Sequence, residues 1–228
     1  MAFIIRFFKT VIGILLILLA IAVAKSFCQE ISSIASFTSS LVIFERGALA
    51  YLLYHIFIAK PVSLYVFGHE SVHVLATWIC GGRVESFNVR STGGSVVTSK
   101  TNIFIELSPY FVPIYTILLA PVFALVSFSF KGIPDLASIF LFLVGVTLAF
   151  HFAMTVEVLR MKQPDVAKSG VILSLVIIFV FNLFIITAVF SPFFHTVSFV
   201  SFVKTSAIAT VDIYQGIYDG VRNVLNLA

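Results

Sequence analysis

Charge is what this sequence most lacks. Of its 228 residues only 11% are Asp, Glu, Lys or Arg, while 60% are hydrophobic; a soluble domain typically carries about 25% charged and about 45–50% apolar residues. So few charges cannot cover a surface that faces water, which excludes an ordinary cytosolic enzyme and a disordered protein. Cysteine is scarce as well. Cys28 and Cys80 stand far apart and form no C-x-x-C pair, which excludes a disulfide-stapled module and a cysteine-based metal cluster. The net charge of +4 is too dilute to point to nucleic acid. What is abundant is apolar side chain, with a mean hydropathy of +1.13, so the outer solvent is expected to be lipid. The length suits one polytopic helical domain.

The apolar runs set the expected spans. Residues 10–24, flanked by Arg6, Lys9 and Lys25, form an anchor or a signal peptide with Ala22-Val23-Ala24 as its cleavage pattern. Residues 47–59 number only 13, short of the roughly 20 that cross a bilayer, and read as an interfacial or re-entrant lead-in. Spans are expected at 61–80, opening on Pro61, and at about 103–127, 137–159 and 171–190. Arg83, Arg90 and Lys100 in one loop and Arg160, Lys162 and Lys168 in another place 81–102 and 160–170 in the cytoplasm; 128–136, with only Lys131, falls outside. The 61–80 helix then runs from outside to inside. Beyond Pro192, residues 206–225 carry Val211, Tyr214, Ile217, Val221 and Val224 on one stripe and Asp212, Gln215, Asp219 and Asn223 off it, the pattern of an amphipathic helix on a membrane surface.

Inside the 61–80 span lies His69-Glu70-Ser71-Val72-His73, an H-E-x-x-H pattern. On a helix the two histidines are one turn apart and can reach one ion, while Glu70 projects to a neighbouring direction. Two imidazoles, a third ligand and an open fourth position are the requirements of a hydrolytic zinc site. Chance yields the pattern in roughly 0.3% of chains of this composition. Its setting sharpens it, because ionisable groups in mid-membrane are costly unless paired or coordinated. At 1.5 Å per residue His73 lies about 10 Å and His69 about 16 Å from the Cys80 end of the span, which implies chemistry at membrane depth on a membrane-embedded substrate.

With these residues in view, the sequence resembles the site-2 protease family of intramembrane zinc metalloproteases over roughly residues 60–182. The H-E-x-x-H helix ending in Cys80-Gly81-Gly82, the stretch Glu85–Lys100 and Gln163-Pro164-Asp165 carry the resemblance. The last looks like the family's Pro-Asp segment, which implies Asp165 as the third ligand. Two positions depart from the family pattern: Val166 follows Asp165 where a Gly is usual, and Ser108-Pro109-Tyr110-Phe111-Val112-Pro113 stands where a Gly-Pro and an Asn are common. The chain therefore reads as a divergent member. From the residues alone, Asp165 and His151 compete for the third position: Asp165 has the favoured ligand chemistry, whereas His151 sits at the better depth, about 12 Å from its span's end.

These readings give a fold class and an activity as expectations. The fold is an all-α polytopic membrane protein with about five transmembrane helices and a small cytoplasmic β-hairpin. Residues 1–60 form an N-terminal anchor or signal segment and lead-in, 61–190 the metalloprotease core, and 191–228 an amphipathic tail. The activity is peptide-bond hydrolysis of a membrane-embedded protein substrate, with Zn2+ on His69, His73 and Asp165 and with Glu70 as general base. The expected location is the cytoplasmic (inner) membrane, as a multi-pass protein partnered by the bilayer and by no nucleic acid. The alternative is a proteolytically inactive metal-binding protein with a regulatory role. A metal transporter is weaker, since no inverted repeat is visible.

Smaller features complete the picture. Phe87, Val89, Val96 and Val97 flank Thr92-Gly93-Gly94, which predicts a hairpin turning at the glycines. Its free edge would suit an unwound substrate backbone that needs new hydrogen-bond partners. Glu106 and Glu157 are expected to pair with Lys100 and Arg160, His55 and His195 to be interfacial, and Trp78 to anchor at the interface. Pro109, Pro113 and Pro121 are read as packing irregularities.

Overall fold

The structure, a computed structural model, describes residues 2–34, 38–90, 93–130 and 133–225. In chain order the elements are α1 (Ala2–Ser32), α2 (Ser39–Phe57), α3 (Val62–Ile79), β1 (Val84–Arg90), β2 (Gly93–Thr98) and α4 (Ile103–Leu107). A 3-10 turn (Ser108–Tyr110) follows, then α5 (Ile114–Ser129), α6 (Leu136–Leu159), α7 (Pro164–Ser169), α8 (Val171–Phe190) and α9 (Phe199–Val224). Among the described residues four helices are long and apolar enough to cross a membrane: Phe7–Ser32 of α1, then α2, α6 and α8. The bent pair Ile103–Tyr110 and Ile114–Ser129 raises the number to five if it is one span. The protein is thus an all-α polytopic membrane protein with one small antiparallel hairpin. Thr92 and Lys131, used above for the turn and for loop charge, lie outside the described residues.

Two compact units divide the chain, residues 1–35 with 166–228, and residues 36–165. In the first, α1 lies along α8, and a Cβ on Gly13 would meet the Leu173 backbone nitrogen at 2.8 Å, a close approach that lipid-facing helices make through small residues. Val23, Leu183 and Phe202 form its core, with the Phe184 and Phe202 rings edge to face at 5.0 Å. Helix α9 starts at Phe199 under a Ser198 cap, well before residue 206, because its first half buries Phe202 and Ser206. Val211, Ile217, Val221 and Val224 remain exposed.

In the second unit α2 is a complete helix rather than a 13-residue lead-in. It begins at Ser39, capped by the Thr38 hydroxyl, and runs through Glu45 and Arg46; both charges are exposed, so they do not interrupt it. Gly47 of α2 lies against the Phe142 carbonyl of α6, and Gly145 of α6 against the Phe44 carbonyl of α2. Any side chain at either glycine collides with backbone, which cannot rotate away. Gly145→Leu is expected to cost about 3 kcal/mol or more, read as a depressed thermal midpoint in detergent; an unchanged midpoint would mean the helices do not meet there.

Tyr51, Tyr65, Phe150 and Met154 build the core that joins α2, α3 and α6. At one end of this core Tyr51 Oη bonds His55 Nδ1 at 3.0 Å, and Lys60 Nζ donates to Glu157 Oε1 at 2.7 Å. Glu157 therefore pairs with Lys60 rather than with Arg160 alone, and His55 is buried, 3.7 Å from the same carboxylate. This pair corrects the charge-count topology. Lys60 precedes α3 and Glu157 lies at the end of α6, so the two helix ends share one level. Residues 60 and 160 cannot stand on opposite faces of a bilayer about 30 Å thick. Loop-by-loop counting treats each loop as independent and cannot detect an ion pair between two of them.

Helix α3 carries the H-E-x-x-H motif and is not among the helices apolar enough to count as spans by composition, since the motif itself supplies the polar residues. Its 18 residues still extend about 27 Å. The expected 103–127 span is likewise broken: its two parts bend by 73° at residues 111–113. Pro113 has no N–H to continue a helix and biases Val112 away from helical geometry.

Candidate metal centre

The H-E-x-x-H residues lie mid-helix on α3 as expected, with the two imidazole centroids 5.0 Å apart. Packing holds each ring. His73 Nδ1 lies 2.8 Å from the Ile105 carbonyl of α4, whose local helix is capped by Asn102. A carbonyl only accepts, so Nδ1 carries the proton and Nε2 of the neutral ring presents a lone pair. His69 is flanked by the rings of Tyr65 at 5.6 Å and Tyr110 at 5.0 Å. The break at Pro113 is therefore more than an irregularity: the chain on its N-terminal side lays Tyr110 on one histidine and Ile105 on the other.

Asp165 arrives from the far end of α6. The chain leaves Leu159, Gln163 Nε2 ties back to the Val158 carbonyl at 3.0 Å, and Pro164 opens α7 as a first-turn proline. This return puts Asp165 Oδ2 3.5 Å from His73 Nε2. Ligand atoms of His69, His73 and Asp165 all lie within 4.8 Å of one another. His151 does not join this group, although depth alone favoured it.

These residues fit a metal ion. In neutral His73 the Nε2 lone pair would face a carboxylate oxygen, which is repulsive unless a cation lies between them. The 3.5 Å separation is long for a charge-assisted hydrogen bond of about 2.7–2.9 Å. It is close to the roughly 3.3 Å edge of a tetrahedron whose ligands lie about 2.0–2.1 Å from zinc. Two imidazoles and one carboxylate suit zinc and other borderline divalent cations.

Glu70 stands beside this trio and is not a member of it. It is 8% exposed and lies under the hairpin, because a Cβ on Gly94 would sit 2.5 Å from Glu70 Cγ and 2.8 Å from its Oε1. The glycines do not form the turn. Gly93 and Gly94 open β2, paired with Arg90 and Val89, and Gly94 is there because a side chain would occupy the place of the acid. A glycine inside a strand pattern is the sequence signal of such a close approach. On the helical wheel Glu70 lies about 100° from His69 on one side and about 100° from Ser71 on the other. Ser71 belongs to the opposite face of α3, where an apolar groove of about 490 Å³ is lined by Phe67, Leu75, Trp78, Phe87 and Leu118.

No protein-family model, curated protein or solved structure matches this chain.

Proposed function

We propose that the protein is an intramembrane zinc metalloprotease of the site-2 protease type that hydrolyses peptide bonds of membrane-embedded substrates. The observation that carries this reading is the convergence of His69, His73 and Asp165 within 4.8 Å beside a carboxylate that is not a ligand. His69, His73 and Asp165 hold the ion. When bound, zinc supplies Lewis-acid chemistry, polarising a peptide carbonyl and acidifying water. Glu70 takes the proton of the attacking water and returns it to the leaving amine. Strand β2 shields Glu70 from bulk solvent, and the groove along α3 offers an apolar surface on which a substrate segment could lie. The cytoplasmic (inner) membrane is the proposed location.

The test uses the full-length protein purified in detergent. About one zinc per chain is expected by elemental analysis, together with cleavage of a transmembrane reporter peptide that a zinc chelator stops and added zinc restores. Metal-free protein that still cleaves, or zinc-loaded protein that cleaves no peptide of a transmembrane panel, overturns the reading. Gly94→Ala is a sharper probe. The new methyl group displaces the Glu70 side chain, so cleavage should fall by about 100-fold, the scale of an ångström misplacement, with zinc content unchanged.

A further inference from the structure

Two buried ring nitrogens near the centre have no hydrogen-bond partner: Nδ1 of His69 and Nε2 of His151. Both rings line the same small space of about 10 Å³, with Tyr65, Val72 and Thr147. His151 is 6% exposed, and its other ring nitrogen hydrogen-bonds the Tyr110 backbone. A backbone carbonyl only accepts, so that nitrogen, Nδ1, carries the proton and Nε2 is a bare acceptor. His69 is the complementary case. Nε2 is taken as its ligand atom, which leaves Nδ1, buried without a partner, to carry the proton and to need an acceptor. A buried donor and a buried acceptor thus face one space of about the volume a single water occupies.

We propose that His151 is the positioning residue for His69, its Nε2 accepting the His69 Nδ1–H through the one water that this space admits. The proposal rests on the metal-site reading above and gives His151 a different part from the third ligand. Metal-binding histidines generally pass their second N–H to an outer partner that fixes tautomer and ring orientation. Ile105 does this for His73 through its carbonyl. His151 does it for His69 and is itself held by Tyr110, so one short segment, Ile105 to Tyr110, orients both imidazoles.

The experiment compares wild type with His151→Gln and His151→Phe as full-length proteins in detergent. Zinc affinity is measured by competition with a chromophoric chelator, and the His69 tautomer by 15N resonance in the metal-free protein. His151→Phe is expected to bind zinc about 10–100-fold more weakly and to release His69 into a mixture of tautomers. His151→Gln, whose Oε1 can accept, is expected to stay near wild type in both. Equal zinc affinity in wild type and His151→Phe overturns the proposal, as does a wild-type His69 protonated on Nε2. Should His151→Phe not fold, the wild-type tautomer and the His151→Gln affinity decide. A wild type that takes up no zinc defeats the metal reading, and the tautomer alone then judges this proposal.

Discussion

Glu70→Gln is expected to keep its zinc and to lose cleavage by about 10²–10⁴-fold, the usual worth of a positioned general base. The substitution is nearly isosteric, so it still fits under Gly94, and it removes only the capacity to take a proton. Its position is what makes the effect large. The carboxylate is buried at 8% exposure, excluded from the ligand trio, and placed on the helical wheel between His69 and Ser71, a residue of the apolar groove. The measurement is paired: zinc content and reporter cleavage on one preparation. Cleavage at the wild-type rate would reduce Glu70 to packing beneath β2. If no variant and no wild type cleaves while zinc is retained, the protein is instead a metal-binding regulator.

Asp165→Ala is expected to weaken zinc by more than the roughly 10–100-fold typical of an outer partner, because it deletes the only carboxylate in the trio. His73 Nε2 then faces open space where Oδ2 stood at 3.5 Å. The loss is readable without a substrate. A ligand at 100 times its dissociation constant stabilises the folded state by about 2.7 kcal/mol, so wild type should show a zinc-dependent rise in thermal midpoint that Asp165→Ala lacks. An equal rise in the variant would remove Asp165 from the site and return the third position to His151.

Much of this centre was legible in the chain. The i, i+4 spacing of His69 and His73 fixes their common face on any helix, and a carboxylate behind a helix-opening proline is a good ligand wherever it lands. What could not be read was where it lands. Asp165 lies beyond the end of α6, and counted along the helix it is too shallow; only the turn back from Leu159 carries it to His73. The contact of Gly94 with Glu70 was hidden for a related reason. A Gly-Gly pair signals either a turn or a close approach, and the choice depends on what stands opposite. The error over α2 came from counting only the apolar run 47–59, although a helix tolerates a charged pair such as Glu45-Arg46 that it can point outward. The opposite sides assigned to residues 60 and 160 failed because charge counting cannot foresee the bond from Lys60 to Glu157.

The sequence alone determined the solvent, the helical class and the motif, since composition and periodicity are local properties that any fold of this chain must satisfy. Tertiary structure decided the register between segments. It brought Asp165, and not His151, beside the two histidines, set β2 on Glu70, and turned the chain at Pro113 so that Ile105 and Tyr110 reach the two histidines. These contacts join residues far apart in the chain, and their geometry follows from how whole helices pack, to which no single stretch of sequence is a guide.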